Sequence, residues 1–293
     1  MLENSQLPQL PQEKSKFIEA LISDLYTIPG VGAIVLGGSY ACGTQTATSD
    51  LDIALYYSES APFAIDEIRR VAGVISAVGV PVVTGFYEWG AWVNGGAWIQ
   101  TAVGKVDFLY RNLEHVQRTI DEALQGIQRH DYAQQPAYGF YSVIYLAETQ
   151  CCIPLYDPQG WIASLKQQVI SYPPKLKERI IADSLWSAEF TLMHARSFAE
   201  KGDVYNTVGC FTRAANNLTQ VLFALNEVYF MSDKRVMELI SGFALKPENY
   251  VERLNTLLAQ PGATSEALTH SYTQMAALWQ EVKELCADYK PRW

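Results

Sequence analysis

The chain has 293 residues, of which 49% are hydrophobic and 12% aromatic, and it carries a formal net charge of −9. This length favours two domains, and the composition is typical of a well-packed globular protein. The acidic balance and the lack of a Lys/Arg-rich stripe argue against long nucleic acid as a partner.

Membrane and secretory signals are not expected. No apolar run approaches the roughly 20 residues that a spanning helix needs, and the polar N-terminal stretch lacks the hydrophobic core of a signal peptide. The five cysteines form no C-x-x-C pair, and their odd number argues against a disulfide framework. We therefore expect free buried thiols, no membrane partner and a cytoplasmic location.

The first part of the chain alternates helical and strand patterns. Residues 14–27 have apolar side chains at helical spacing, and "PGVGAIVLGGS" predicts a turn followed by a strand. The segment "SDLDIALYY" alternates polar and apolar residues as a half-buried strand does. A second helix is predicted over 62–79, and two or three strands joined by tight turns over 80–112.

After Asn112 almost every segment has the 3.6-residue period of a helix. One long helix is predicted from Pro174 to about Glu200, and another over about 203–230. The predicted fold class is therefore α+β, with a small mixed-sheet domain over residues 1–112 and an all-α helical bundle domain over 113–293.

One motif indicates chemistry: Gly38-Ser39, followed by Asp50-Leu51-Asp52. Glycine allows close backbone approach, and backbone N–H groups with a serine hydroxyl can hold phosphate oxygens. Two neighbouring carboxylates repel each other unless a cation lies between them. Asp107, at an alternating position of the apolar strand "KVDFLYR", supplies a third carboxylate for a magnesium site. A glycine-rich turn beside a solvent-facing Asp-x-Asp is the alternative, and it leaves the clustering of three acids unexplained.

The stretch "GGSYACGTQTATSDLDIALYY" resembles the signature of the polymerase-beta-type nucleotidyltransferase superfamily, and Gly43 and Ser49 match its minimal members. The stretch "WVNGGAWIQTAVGKVDFLYRN" is similar to the third-carboxylate hairpin of bacterial stand-alone nucleotidyltransferases. The helical half resembles the C-terminal bundles of those proteins, which belong to the same broad group as the aminoglycoside and lincosamide nucleotidyltransferases.

This resemblance implies a role for each motif residue. Gly38 and Ser39 would hold the β- and γ-phosphates of a nucleotide. Asp50 and Asp52 would ligate two Mg²⁺ ions, and Asp107 would share the catalytic ion and help to deprotonate the acceptor hydroxyl.

The helical half offers further candidates for nucleotide binding. Arg213, Asn217 and Gln220 form a polar stripe that faces either a cleft or solvent. Lys234 matches a position where related helical domains place a cation near the triphosphate, with Arg235 an equal contender and a surface pair the simpler interpretation.

Three other features have both a functional and a structural interpretation. Glu88 is on a predicted strand and is either an accessory base or substrate ligand, or an exposed edge carboxylate. His194, on a largely apolar helix, is more typical of a core histidine than of a base. A run of aromatic residues could stack a ring or form core: Tyr87, Trp89, Trp92 and Trp98.

The implied activity is Mg²⁺-dependent transfer of a nucleoside monophosphate, AMP from ATP, to a hydroxyl of an unidentified small molecule bound between the domains, with release of pyrophosphate. The same chemistry could act on a protein or RNA, as in nucleotidyltransferase-type toxins and antitoxins. A catalytically silent nucleotide-binding regulator is the remaining alternative, although the intact Gly38-Ser39 pair and three acids weigh against it.

Overall fold

The computed structural model describes residues 10–287 and 289. The chain divides into two compact units. The first runs to Glu122 and resumes over His130–Ser171, and the second contains Ala123–Arg129 and the chain from Tyr172 onward. The described residues are 52% helical, with a mixed sheet in the N-terminal part and helices in the C-terminal part, which confirms the predicted α+β class.

The first unit contains a sheet and the helices that pack on it. Its strands are β1 (Ala33–Leu36), β2 (Leu51–Tyr57), β3 (Val82–Val83), β4 (Gly96–Thr101), β5 (Gly104–Asn112), β6 (His130–Asp131), β7 (Phe140–Tyr141) and β8 (Ile153–Tyr156). Its helices are α1 (Gln12–Leu25), α2 (Gly38–Ala41), α3 (Ile65–Ile75), α4 (Leu113–Leu124, which runs into the second unit), α5 (Val143–Cys151) and α6 (Trp161–Gln168).

Six strands form one sheet in the order β3-β4-β5-β2-β1-β8. All neighbours are antiparallel except β2 and β5, which are parallel. Leu51 and Ile53 of β2, with Val106 and Phe108 of β5, are fully buried in the core. Because side chains alternate along a strand, the residues between them face the opposite side of the sheet.

That opposite face is covered at one end by α5. Arg111 near the end of β5 is buried, and its guanidinium donates from Nε and Nη2 to the two carboxylate oxygens of Glu148, both at 2.9 Å. A buried guanidinium is tolerated because this bidentate pairing replaces its hydration. The other end of the strands, where β2 and β5 begin, carries polar side chains that are only partly buried.

The second unit is helical throughout its described part. Its helices are α7 (Pro174–Glu200), α8 (Val204–Leu225), α9 (Val236–Ser241), α10 (Tyr250–Ala259) and α11 (Ser265–Leu285). The predicted helix from Pro174 to Glu200 is confirmed. The next one is shorter than predicted, because Glu227 adopts a positive φ of 56° that no helix continues through. None of the described helices is long and apolar enough to cross a membrane.

The division into units differs from the boundary expected after Asn112. β8 pairs with β1, so the chain returns to the sheet long after Asn112. The same return brings Cys151, at the end of α5, to Cys42, and the two form a disulfide with 5.5 Å between their Cα atoms. The expectation of five free thiols is therefore wrong for this pair, while Cys152, Cys210 and Cys286 are free.

Candidate functional site

Two of the three predicted acids lie side by side on the sheet. Asp52 of β2 and Asp107 of β5 are direct partners in the parallel ladder. Both follow a core residue, Leu51 and Val106, so both carboxylates point to the face opposite the core. This alignment places two acidic side chains in one row across the sheet.

The Gly38-Ser39 pair lies directly against this row. Gly37 donates its backbone N–H to the carbonyl oxygen of Asp52 at 2.8 Å. Gly38 has a φ of +58°, and a Cβ at this position would lie 1.8 Å from Oδ2 of Asp52. Only glycine fits there, both for its backbone conformation and for its lack of a side chain. The Gly-Ser turn, which is the single turn of α2 that begins with Gly38 and Ser39, is therefore in contact with the Asp52 carboxylate.

The positive charge at this site comes from Lys105, which sequence reasoning missed. Its Nζ donates to Oδ2 of Asp50 at 3.0 Å and to Oδ2 of Asp107 at 2.8 Å. Burial acts to lower the pKa of Lys105, but the hydrogen bonds to Asp107 and Asp50 outweigh it, so that the pKa is raised above its ordinary value. The alternation of β5 was the available signal, because Lys105 is two residues before Asp107 and shares its face.

The fit of these residues to a divalent cation depends on that lysine. Within the described residues no three His, Cys, Asp or Glu side chains are gathered closely enough to hold a metal ion. Oxygens of Asp50 and Asp107 nevertheless converge on one ammonium group, and carboxylate oxygens are the ligands that Mg²⁺ prefers. The donor set fits Mg²⁺ if the ammonium of Lys105 leaves its place.

The loop between the Gly-Ser turn and β2 is fastened at both ends. Lys14 of α1 donates from Nζ to the Tyr40 hydroxyl at 2.8 Å and to the carbonyl oxygen of Ser49 at 3.1 Å. The disulfide of Cys42 ties the same turn to α5. Neither contact left a local signal in the sequence.

The structure separates the aromatic run into two groups. Trp92 is buried and stacks on Phe140 at 5.3 Å, as a core residue does. Trp98 of β4 is 50% exposed and stacks on Trp89, with 4.9 Å between ring centroids and 21° between planes. Glu88, expected on a strand, lies exposed in a turn instead.

The candidates of the second unit are dispersed over helices and loops. Arg213 and Lys234 are exposed, and their assignment to the nucleotide stays a prediction. Gln220 is buried, so the polar stripe with Arg213 and Asn217 is not a continuous surface. Arg235 donates from Nε to Glu238 at 2.7 Å.

The interpretation of His194 as a core histidine is wrong. Its side chain is exposed on α7, where its ring lies edge-on to Phe190 at 4.8 Å. Phe190, on the same helix, is also partly exposed, at 43%.

Two family models match parts of the chain. Residues 14–129 match the family model of the nucleotidyltransferase domain, and residues 144–234 match that of a domain of unknown function, DUF4037. No curated protein matches the sequence. A solved structure of a nucleotidyltransferase-like protein from Exiguobacterium sibiricum 255-15 is 10% identical, with a TM-score of 0.46 over 95% of this chain and 78% of that one. The family match confirms the resemblance drawn from the Gly-Ser and Asp-x-Asp motif, and the chain carries a nucleotidyltransferase domain over residues 14–129.

Proposed function

We propose that this chain is a Mg²⁺-dependent nucleotidyltransferase that moves a nucleoside monophosphate, AMP from ATP, to a hydroxyl of a small molecule. The observation that carries this proposal is the row formed by Asp52 and Asp107, with the backbone of Gly38 against the Asp52 carboxylate. This contact supports the proposal, because phosphoryl-group chemistry with a metal ion requires phosphate-binding groups and acidic side chains to lie side by side.

The Gly-Ser turn would bind the part of the nucleotide that leaves. Its backbone N–H groups and the Ser39 hydroxyl would donate to the β- and γ-phosphates, while the missing side chain of Gly38 makes room for the Asp52 carboxylate. Asp50, Asp52 and Asp107 would hold Mg²⁺, which supplies charge neutralisation for the phosphates when it is bound.

The reaction exchanges one phosphorus–oxygen bond for another. The acceptor oxygen forms a bond to the α-phosphorus, and the bond from that phosphorus to the bridging oxygen of the β-phosphate breaks, so pyrophosphate leaves with the electron pair. Lys105 moves from Asp107 to the substrate phosphates, and the Asp107 carboxylate then takes the proton of the acceptor hydroxyl. Positioning and charge neutralisation provide most of the rate.

A catalytically silent nucleotide-binding protein is the second candidate. It is favoured by Lys105, whose ammonium already balances the charge of Asp50 and Asp107 without any metal ion. If Lys105 keeps both ion pairs when ATP is bound, the protein would bind ATP without transferring its nucleoside monophosphate.

Pyrophosphate release tests the proposal. The protein is incubated with ATP, Mg²⁺ and a panel of hydroxylated small molecules, with protein and RNA as separate acceptors. We expect release that depends on a small-molecule acceptor and is abolished by Asp52→Asn. The matched control is Asp66→Asn, because Asp66 is 90% exposed on α3 and pairs only with the nearby Arg69 among the ion pairs described. Binding of ATP without release on any acceptor would favour the silent regulator.

A further inference from the structure

The exposed Trp98 lies in the same row as the acids. Its Cα is paired directly with that of Asp107 across the antiparallel β4–β5 ladder. Residues paired in this way project to the same side, with Cβ atoms about 5 Å apart. The row therefore runs Asp52, Asp107, Trp98, in the strand order β2, β5, β4.

Trp98 is one half of a stacked tryptophan pair. The indole of Trp89 lies over Gly96, where a Cβ would come within 2.9 Å of the Trp89 ring and 1.8 Å of a backbone oxygen, so glycine makes room for it. Trp98 remains 50% exposed despite this stacking. Its exposed indole face, in line with the acids, is therefore available to stack on a ring.

The turn that carries Trp89 is built around a buried asparagine. Asn94 is 2% exposed; its Oδ1 accepts from the N–H of Tyr87 at 2.9 Å, and its Nδ2 donates to the Tyr57 hydroxyl at 2.9 Å. Its backbone oxygen accepts from the N–H of Trp89 at 2.9 Å. The aromatic surface is thus held in place before any ligand arrives, which lowers the entropic cost of binding.

The position of Trp98 relative to the Gly-Ser turn indicates which ligand the tryptophan surface binds. In an in-line displacement the attacking hydroxyl approaches opposite to the leaving pyrophosphate. The Gly-Ser turn that would hold the pyrophosphate lies beside Asp52, on the β1 side of the row, whereas Trp98 lies beyond Asp107 on the other side. The acceptor therefore comes from the direction of Trp98, and the exposed Gln100 on the same face can bind its polar groups.

We propose that Trp98 and Trp89 form the acceptor platform of this enzyme, and that the acceptor is a hydroxylated molecule with a six-membered ring, aromatic or pyranose, whose face stacks on Trp98. This inference rests on the proposed function. It defines the acceptor class by the ring face that stacks and by the hydroxyl that reaches Asp107.

Fluorine NMR of the full chain labelled with fluorotryptophan tests this platform without nucleotide or metal. The Trp98 and Trp186 resonances are assigned with Trp98→Phe and Trp186→Phe. Trp186 is the internal control, because it is also stacked and is 44% exposed, in the second unit. The probes are tyrosol as phenolic ring, methyl glucopyranoside as sugar ring, and glycerol as a hydroxylated molecule with no ring. Mg²⁺-ATP is added to a separate sample as a comparison.

We expect a saturable shift of the Trp98 resonance with at least one ring probe, no shift with glycerol and no shift of Trp186. Tyrosol and the glucoside distinguish an aromatic from a pyranose acceptor. Trp89→Ala should weaken the ring-probe affinity severalfold with the fold intact by circular dichroism. Parallel shifts of Trp98 and Trp186, no saturable shift with either ring probe, or a shift only with Mg²⁺-ATP would overturn the platform. The last result would assign the surface to the nucleotide base.

Failure of the platform and failure of the proposed function are distinguishable. Ring-probe binding is measured without ATP, and pyrophosphate release is measured without reference to tryptophan. Once an acceptor supports release, Trp98→Ala should raise its KM with little change in the KM of ATP, and Trp98→Phe should restore it. Equal effects on both KM values would contradict the acceptor assignment.

Discussion

Lys105 donates a hydrogen bond from Nζ to Oδ2 of Asp107 at 2.8 Å, two residues along the same strand. The second contact of this ammonium, to Asp50, connects the strand with the segment that leads into β2. The ammonium of Lys105 thus offsets the negative charge of Asp50 and Asp107, two of the three predicted acids. Any divalent ion at this site has to compete with Lys105.

Removing that ammonium should strengthen divalent-cation binding. Lys105→Met leaves Asp50 and Asp107 without this competitor. We expect Mn²⁺ affinity to rise about fivefold, since two partly exposed ion pairs are worth about 1 kcal/mol together. Electron paramagnetic resonance of free Mn²⁺ measures this directly. Lys16→Met, an exposed lysine of α1, is the matched control for the change in net charge. An unchanged Mn²⁺ affinity in Lys105→Met would contradict the competition.

A methyl group at position 38 should disrupt the contact between Gly38 and Asp52. Gly38→Ala places a Cβ on the Asp52 carboxylate, so we expect Mg²⁺-ATP affinity to fall by at least about tenfold, or about 1.4 kcal/mol. Gly43→Ala is the control, because Gly43 has a similar φ of +68° but no atom lies within 4 Å of the place where its Cβ would be. That variant should cost about 1 kcal/mol of folding stability through backbone strain alone, with ATP affinity kept. Equal ATP affinities for the two variants would show that the collision is unimportant.

Thiol titration tests the disulfide. The unfolded, unreduced chain should show three reactive thiols, and the reduced chain all five. Reduction should lower the free energy of unfolding by about 2–4 kcal/mol, because the bond closes a long loop. Cys151→Ser should expose one further thiol, that of Cys42. Five reactive thiols without reductant would restore the expectation of free cysteines.

His115 should lower the free energy of unfolding when the pH falls below about 6.5. Burial, with Arg118 nearby, lowers the pKa of His115 below its ordinary 6.5, although Glu122 acts in the opposite direction. As the pH falls through 6.5, the unfolded chain therefore binds a proton before the folded one, and stability decreases until the lower folded pKa is passed. Urea unfolding at about pH 7.5 and about pH 5.5 should show a larger loss for the native chain than for His115→Gln. The same loss in both proteins would assign the pH dependence to other groups.

Individual helices and strands were predictable from the sequence where residue type and hydrophobic pattern determine them. The helix from Pro174 to Glu200 begins at a proline, which suits the first helical position, and carries a continuous buried stripe. The strand containing Asp52 was predictable because it is rich in apolar residues, but it is not half-buried as expected, since every residue of β2 except Asp52 is buried. The exact pairing of Asp52 with Asp107 was not, since register depends on contacts across the sheet.

The features that sequence reasoning missed are non-local or depend on backbone geometry. Cys42 and Cys151 are separated by 109 residues, and only the pairing of β8 with β1 brings them together. Glu88 left the predicted strand because Tyr87 adopts a positive φ of 62°, which turns the chain. Lys105 was visible as a same-face neighbour of Asp107, but its contact with Asp50 crosses between strands.

Calorimetry of ATP binding, with and without Mg²⁺, tests the central claim most directly. The native chain and Asp66→Asn should bind ATP with a clear dependence on Mg²⁺, and Asp52→Asn should lose that dependence because its amide is a poor ligand for the ion. Asp52→Asn binding Mg²⁺-ATP as tightly as the native chain, or ATP affinity unaffected by Mg²⁺ in the native chain, would contradict the assignment of a metal-dependent nucleotide site to the row of Asp52 and Asp107.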